Sequence, residues 1–386
     1  MLNSCRSVLD NIALQTGENA SLLLARYAKG FDEKKDSGTA RQDTQNKKKK
    51  QEARLDLFEA MKAAAVNAYD LYSLAFDKRH DALKNIASSK NFETVGPLIA
   101  GLGNGNVLET GLALNPTYGL PMLPGSSIKG VTAHYCSKIL GASDPDYKGP
   151  VFDNKGKVIQ EAGKIYSALF GKIYPLEEQE AGYLRFFDAW IVPTKKKEQM
   201  GLVFLDDVMT PHNTSYYSSK DENKRPSEFE EPKPVRFLSV RGEFEFWISC
   251  LDDNPEQRKK WTDFAFNITK EALENFGIGG KLNAGYGKMK CLVSEEERQE
   301  QARQAKIQAN REAGYLHDEG EEVQVLCKKL KIVKGKEKPD LIFVTGENDG
   351  HAIRFDPKPK FEEGATINAK ILRIERQNKA YILQVI

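Results

Sequence analysis

Several absences narrow this 386-residue chain before any motif is read. Its cysteines are few and far apart: Cys5, Cys136, Cys250, Cys291 and Cys327 form no CxxC pair. An odd, scattered set excludes a disulfide framework and a multi-cysteine zinc site, and it fits thiols kept reduced in a cytoplasm. Histidines number only five, in unrelated segments. His80-Asp81 and His317-Asp318 are paired like phosphohydrolase ligands but lack the further ligands that such a centre needs. No stretch reaches about 18 consecutive apolar residues and the N-terminus holds no leader-like apolar run, so neither membrane spanning nor export is expected. Cofactor motifs are missing too. Gly280-Lys281 is followed by Leu282 where a triphosphate loop wants Ser or Thr, and Gly103 and Gly105 lack the third glycine of a dinucleotide fingerprint. Neither a cofactor nor a metal is expected. Net charge is also nearly absent, 57 basic against 55 acidic side chains, so any partner must be read from local clusters.

What is present reads as α+β. After a short apolar segment, "GENASLLLARY" (17–27), residues Arg26 to Arg54 carry ten Lys or Arg against five Asp or Glu. The part from about 30 to 52 reads as a mobile, solvated segment. Leu57, Met61, Ala64, Ala68, Leu71 and Ala75 recur at three and four, the stripe of an amphipathic helix. A strand is expected over "FETVGPLIAGLG" (92–103), with Pro97 at an edge or bulge. Further strands are expected over 183–192 and 202–207 as neighbours. Another is expected over "EFEFWISCL" (243–251), where Phe244, Phe246, Ile248 and Cys250 alternate with Glu243, Glu245, Trp247 and Ser249 and predict one buried face. Residues 209–234 read as a long protruding insertion. Trp261, Phe264, Ile268, Ala272 and Phe276 mark a helix that Gly277 stops, and "KMKCLV" a strand. The chain then divides on its pattern: a first domain over 1–293, a charged connecting helix over 294–320, and a small all-β, barrel-like domain over 321–386. Helices interrupting a mainly antiparallel sheet predict a ferredoxin-like core in the first domain.

Two glycine-rich segments carry the chemistry. In "LPMLPGSSIKG" (120–130), Pro124-Gly125 makes a turn and Ser126 or Ser127 is placed to cap a helix. Lys129 adds a charge in its first turn. Unpartnered N–H groups, hydroxyls and a lysine at a helix N-terminus suit a phosphate; a well-capped helix with an exposed lysine is the alternative. In "FGIGGKLNAGYGKMK" (276–290), Gly277, Gly279, Gly280, Gly285 and Gly287 alternate with Lys281, Asn283, Tyr286, Lys288 and Lys290, with no acid. So many glycines predict positive φ angles or close backbone approach. The lysines suit phosphates, Asn283 a base or ribose, and Tyr286 a base face. A flexible hairpin with surface lysines would look similar. Lacking carboxylates to read bases, the pair would hold a strand of any sequence.

These blocks, in order, resemble a known family. "GLGNGNVLETGLALNPTYGLPMLPGSSIKG" followed by "FGIGGKLNAGYG", with "NASLLLARY", "FDAWIVP" and "DDVMTPHNTSYY", is similar to the RAMP superfamily of CRISPR proteins. Within it the likeness is to the sixth-subunit family of Cmr (type III-B) effector complexes, over roughly residues 17–293. The resemblance implies a ferredoxin-like, RRM-type fold and a structural RNA-binding role near the 3′ end of the guide. It implies as partners CRISPR guide RNA, complementary target RNA, and the other RAMP subunits of the complex, both backbone and cap. It also implies RNA contacts by Ser126, Ser127, Lys129, Gly279, Gly280, Lys281, Asn283 and Tyr286; Lys288 belongs with them on its charge. His212, beside Tyr216 and Tyr217, is expected to touch RNA or a neighbour. The β domain departs from the family. Its end faintly resembles an OB barrel, and six basic residues between Lys328 and Lys338 suit RNA as well as a docking role would.

The competing reading is a metal-independent endoribonuclease of the same superfamily that trims guide RNA or cuts target RNA. It needs a general base near a 2′-hydroxyl and a charge to stabilise the transition state. His134, His212, Asp188, Asp206 and Asp207 are its candidates. No pair of carboxylates is spaced convincingly for two metals, and the expectation is a non-enzymatic subunit.

Overall fold

The structure, a computed structural model, describes residues 19–25, 40–103, 110–172, 179–210, 214–217, 219, 221, 225–226, 234–293, 295–333, 336–344 and 351–386. The chain forms two compact units, Met1–Leu292 and Val293–Ile386.

In the first unit a short helix, α1 (Ala20–Ala25), is followed by a long one, α2 (Ala40–Leu83). Asn19 caps α1, its Oδ1 accepting from Ser21 N at 2.8 Å while its Nδ2 donates to Pro116 O and Thr117 O. Because α2 begins at Ala40, residues 40–52 carry helical backbone where the sequence suggested an unstructured segment; they had no apolar stripe to signal it. Farther along α2 the buried side is Leu57, Phe58, Met61, Ala65, Tyr72 and Phe76, whereas Leu71 is 63% exposed. Leu57, Met61 and Ala64 of the expected stripe are buried as its period requires, and only beyond Ala68 does the buried line move by one residue, to Tyr72 and Phe76. Tyr72 takes the inner position because its hydroxyl reaches Ile191 O at 2.6 Å.

The main sheet has six strands. In chain order they are β1 (Ser88–Thr94), β2 (Met122–Leu123), β3 (Leu184–Phe186), β4 (Ala189–Ile191), β7 (Glu243–Cys250) and β8 (Met289–Leu292). Across the sheet the order is β8-β1-β7-β4-β2, with β3 also paired to β7. Helix α3 (Gly125–Tyr135) follows β2 and α4 (Pro255–Asn275) follows β7. Two further strands, β5 (Phe204–Met209) and β6 (Val235–Val240), pair with each other in a separate two-stranded ribbon. The expected strand over 92–103 lies earlier, since beyond Thr94 only Leu98 makes a bridge, to Val240. The segments 183–192 and 202–207 are likewise not neighbours: the first is broken into β3 and β4 on the main sheet, the second belongs to the separate ribbon.

Both faces of β7 are covered, which corrects the one-sided expectation. Phe244, Phe246 and Ile248 face α4, as the contact of Ser88, the partner of Ile248, with Thr262 on that helix indicates (3.2 Å). On the other face Glu245 (4% exposed) and Trp247 (2%) lie under α2. His80 Nδ1 stands 2.6 Å from Glu245 Oε1, Trp247 Nε1 donates to Glu245 Oε2 at 2.6 Å, and Arg79 completes the cluster at 3.5 Å. Burial lowers the pKa of Arg79, against the pull of Glu245. His80 is therefore a packing residue, and its neighbour Asp81 pairs with Lys84 on the surface.

In the second unit, helix α5 (Glu295–Glu312) precedes strands β9 (Glu322–Val333), β10 (Lys336–Phe343), β11 (Ala352–Phe355), β12 (Thr366–Glu375) and β13 (Ala380–Val385). Sheet order is β10-β9-β12-β13-β11, antiparallel except for the parallel pair β11 and β13. Tyr315, Val325, Phe343, Phe355, Ile371 and Tyr381 form its core. The connecting helix of the sequence reading is built into this unit. The buried Asn310 accepts from Arg376 at 2.9 and 3.0 Å, and Lys306 pairs with Glu319. His317, the other pair-like histidine, is buried against Phe343 and lies 2.9 Å from Glu321.

Candidate nucleic-acid interface

The second glycine segment is a loop folded onto the end of β1. Helix α4 closes with Gly277 in the left-handed region (φ 78°), its N–H donating to Ala272 O at 3.0 Å. Ile278 plugs inward, and its N–H donates to Gly287 O at 2.9 Å, tying the two ends of the loop together. Gly280 N donates to Ile99 O and Gly287 N to Pro97 O, while Val95 N donates to Lys288 O. The glycines have definite causes. A Cβ on Gly279 would stand 2.3 Å from Ile99 O, and one on Gly287 would stand 2.1 Å from Ile278 O. Close approach is thus to this chain's own carbonyls. Gly285 differs: its φ of 86° needs glycine, yet a Cβ there would meet open space.

Lys281 is itself left-handed at φ 58°, an uncommon state for a residue with a side chain. Its ammonium lies 5.1 Å from the centroid of the buried Phe237 ring and 6.0 Å from that of Tyr286. The Tyr286 hydroxyl donates to Asp207 Oδ2 at 2.7 Å. Burial, then the hydrogen bond to Asp207, then its charge push the phenol up to about 12. Asp207 Oδ1 accepts from Val208 N at 2.8 Å, so both of its oxygens are engaged. Asn283 and Lys288 are exposed, and Lys290 pairs with Glu93 at 3.0 Å.

The first glycine segment starts α3 one position before either serine. Pro124 is the N-cap, and Ser126 and Ser127 lie exposed in the first turn, so neither caps the helix. Asp188 Oδ1 accepts from Gly125 N at 2.8 Å, so a carboxylate from another segment satisfies one of the N–H groups freed at this helix start. Gly125 itself is required by the approach of Phe186 O, 2.2 Å from a Cβ placed there. Ser126 and Lys129 line a cavity of about 270 Å³ with Glu161, Tyr166, Phe170 and Lys172.

The expected residues therefore fall into two neighbourhoods: Lys281 and Tyr286 beside Phe237, with Asn283 and Lys288 exposed on the same loop, and Ser126 with Lys129 at the cavity. Helix packing links them, since Thr132 of α3 meets Thr269 of α4 at 3.0 Å and Tyr135 packs its ring on Phe276, which opens the glycine loop (5.1 Å). His212 lies outside the described residues, as do Leu108 and Glu109 of the segment 101–130 that carries the family resemblance. His134 is exposed beside Phe276 (5.6 Å), and Asp206 pairs with Arg236 at 2.8 Å. Among the described residues no group of three or more His, Cys, Asp or Glu is placed to hold a metal, and no helix is long and apolar enough to cross a membrane. Sequence reasoning missed Phe237, whose apolar strand gives no hint of a cation above it, and Tyr166, from a segment without periodic pattern.

Residues 91–290, just over half of the chain, match the model of the RAMP superfamily. Over 258 residues the chain is 29% identical to the CRISPR system Cmr subunit Cmr6 of Pyrococcus furiosus, covering 58% of this chain and 73% of that protein. Over 181 residues it is 27% identical to the CRISPR system CMR subunit Cmr6 of Saccharolobus solfataricus, covering 47% of this chain and about half, 48%, of that protein. A chain in the cryo-EM structure of the type III-B Cmr-beta bound to cognate target RNA matches with TM-score 0.47 and 17% identity, over 75% of this chain and 88% of that one.

Proposed function

This chain belongs to the RAMP superfamily, and on that premise we propose that it is a non-catalytic structural subunit of a type III-B CRISPR effector complex, holding guide RNA near its 3′ end. Its partners on this reading are guide RNA, complementary target RNA and the backbone and cap RAMP subunits. The likeness to two proteins named as Cmr subunits supports the complex. The run β1-α3-β3/β4-β7-α4-β8, with sheet order β8-β1-β7-β4, supports a ferredoxin-like, RRM-type core. The five-stranded second unit supports an OB-like barrel.

The observation that carries the RNA role is the glycine loop. Its backbone is pinned by hydrogen bonds to Pro97 and Ile99, and it presents Asn283 and Lys288 outward beside Lys281, with no acid in the loop itself. A pinned basic loop loses little entropy when a phosphate chain docks on it. The non-catalytic reading is supported by the engagement of each carboxylate in turn: Asp188 with Gly125 N, Asp206 with Arg236, Asp207 with Tyr286 and Val208 N. A general base needs an acceptor directed at substrate.

The test is reconstitution with the other Cmr subunits and a guide RNA. The double variant K281E/K288E is expected to weaken guide binding at least tenfold. It should also lower the slope of log affinity against log salt by about 1.4, two phosphate contacts on a single strand. Unchanged binding removes the loop from the interface. D207N, which keeps an acceptor for Tyr286, is expected to leave target cleavage by the assembled complex at its original rate; its loss would make this subunit an enzyme.

A further inference from the structure

The second unit carries a groove that the first unit's loops do not explain. The two strands at the ends of its sheet order, β10 and β11, both contribute to a concavity of about 860 Å³. Lys338, Arg354, Lys358, Lys360 and Arg373 line it, with Asp356 the one acid in the lining. Its floor is apolar: Leu330, Leu341, Ile353 and the half-buried ring of Phe361. Arg373 shares its charge with Glu375 at 3.2 Å, whereas among the described residues Lys338, Lys358 and Lys360 have no carboxylate partner.

We infer that this groove binds single-stranded RNA. Five cations against one acid select a polyanion. An apolar floor with an aromatic ring selects one whose bases are unpaired, because a duplex hides its base faces. An extended acidic peptide would be the rival occupant, added as a strand to an open sheet edge. Pro339 in β10, and Pro357 and Pro359 directly after β11, remove N–H donors that strand addition would use. Lysines on edge strands also guard against unwanted pairing, but that purpose needs neither a concave surface nor a partly exposed apolar floor. The inference stands on this groove alone and not on the glycine loop.

The experiment uses the full chain, a fluorescent 20-nucleotide oligouridylate, and ultraviolet crosslinking with peptide mapping. Crosslinks are expected within 338–361, separate from those within 276–290. K358E/K360E should abolish the first set, leave the second, and weaken binding about tenfold in a K281E/K288E background. All five cations are exposed, so melting of these variants should be unchanged, and crosslinking of the unaltered chain tests the inference even if one of them misfolds. Crosslinks confined to 276–290 would overturn the inference while leaving the proposed function standing. Polyglutamate of matched charge competing as well as the oligouridylate would overturn it in favour of an acidic protein.

Discussion

Tyr286 shows how one side chain ties the candidate interface to the fold. Its hydroxyl donates to Asp207 across the loop–ribbon junction, and its ring borders both Phe237 and the Lys281 ammonium. The phenol is held neutral up to about 12, above the usual 10.0. A raised folded-state value means the neutral form is the one the fold stabilises. That contribution is complete below pH 10 and is lost as pH climbs through about 12. Absorbance titration at the tyrosinate band, as the difference between the unaltered chain and Y286F, should show one phenol ionising near the upper end. D207N should bring that midpoint down, because the carboxylate's charge is one of its causes. A Tyr286 midpoint at the ordinary value would dissolve the proposed brace. Nothing in the sequence alone announced this pair: Asp207 and Tyr286 are 79 positions apart, and tyrosine in a basic glycine run reads first as a stacking platform.

At the scale of elements, the glycine loop gives the sharpest contrast. G285A asks only for a left-handed alanine in open space and should cost about 1–2 kcal/mol. G287A asks for the same and drives a Cβ into Ile278 O, so it should cost several kcal/mol and break the closure of the loop. Denaturant unfolding of the two variants measures this, and equal losses would mean that the tight approach is not what holds the loop. The need for glycine was legible because positive φ leaves a compositional trace. What the glycines approach was not, since Pro97 and Ile99 arrive from nearly two hundred residues upstream. Strand β7 repeats the lesson. Its alternation was visible in the sequence, but Trp247 and Glu245 were expected in solvent because their cover, His80 and Arg79 on α2, lies 165 positions away in the case of His80 and Glu245. Period-two patterning reports the face against the nearer core and is silent about a second layer. The serine cap failed for a related reason: the helix begins at Gly125, before either serine, and Asp188, 63 positions on from Gly125, accepts from the first N–H instead.

At the scale of the whole molecule, the boundary at Leu292 divides two hydrophobic cores, one built around Phe92, Phe244 and Phe246, the other around Val325, Phe343 and Tyr381. Composition signalled the change from mixed to all-β patterning, but it placed α5 apart from both, because a helix so rich in charge shows almost no apolar seam. What binds α5 to the rest of its unit is polar: Arg376, in the turn after β12, on Asn310, and Lys306 with Glu319, in the turn before β9. The cut that respects the cores is therefore after Leu292 and not near 320. A chain ending at Leu292 retains β8 paired to β1 and should unfold in one cooperative step. Its midpoint should lie within about 4 °C of the first unit's transition in the full chain, the equivalent of about 1 kcal/mol. A chain ending at residue 320 keeps α5 and its Lys306–Glu319 pair but loses Arg376 and the five strands, and isolated helices of this length are marginal in water. Its far-ultraviolet circular dichroism should show no more helix in absolute terms than the chain ending at Leu292. Full helicity of α5 in the longer fragment, or a broad non-cooperative melt of the shorter one, would mean that the boundary has been drawn through a single cooperative body.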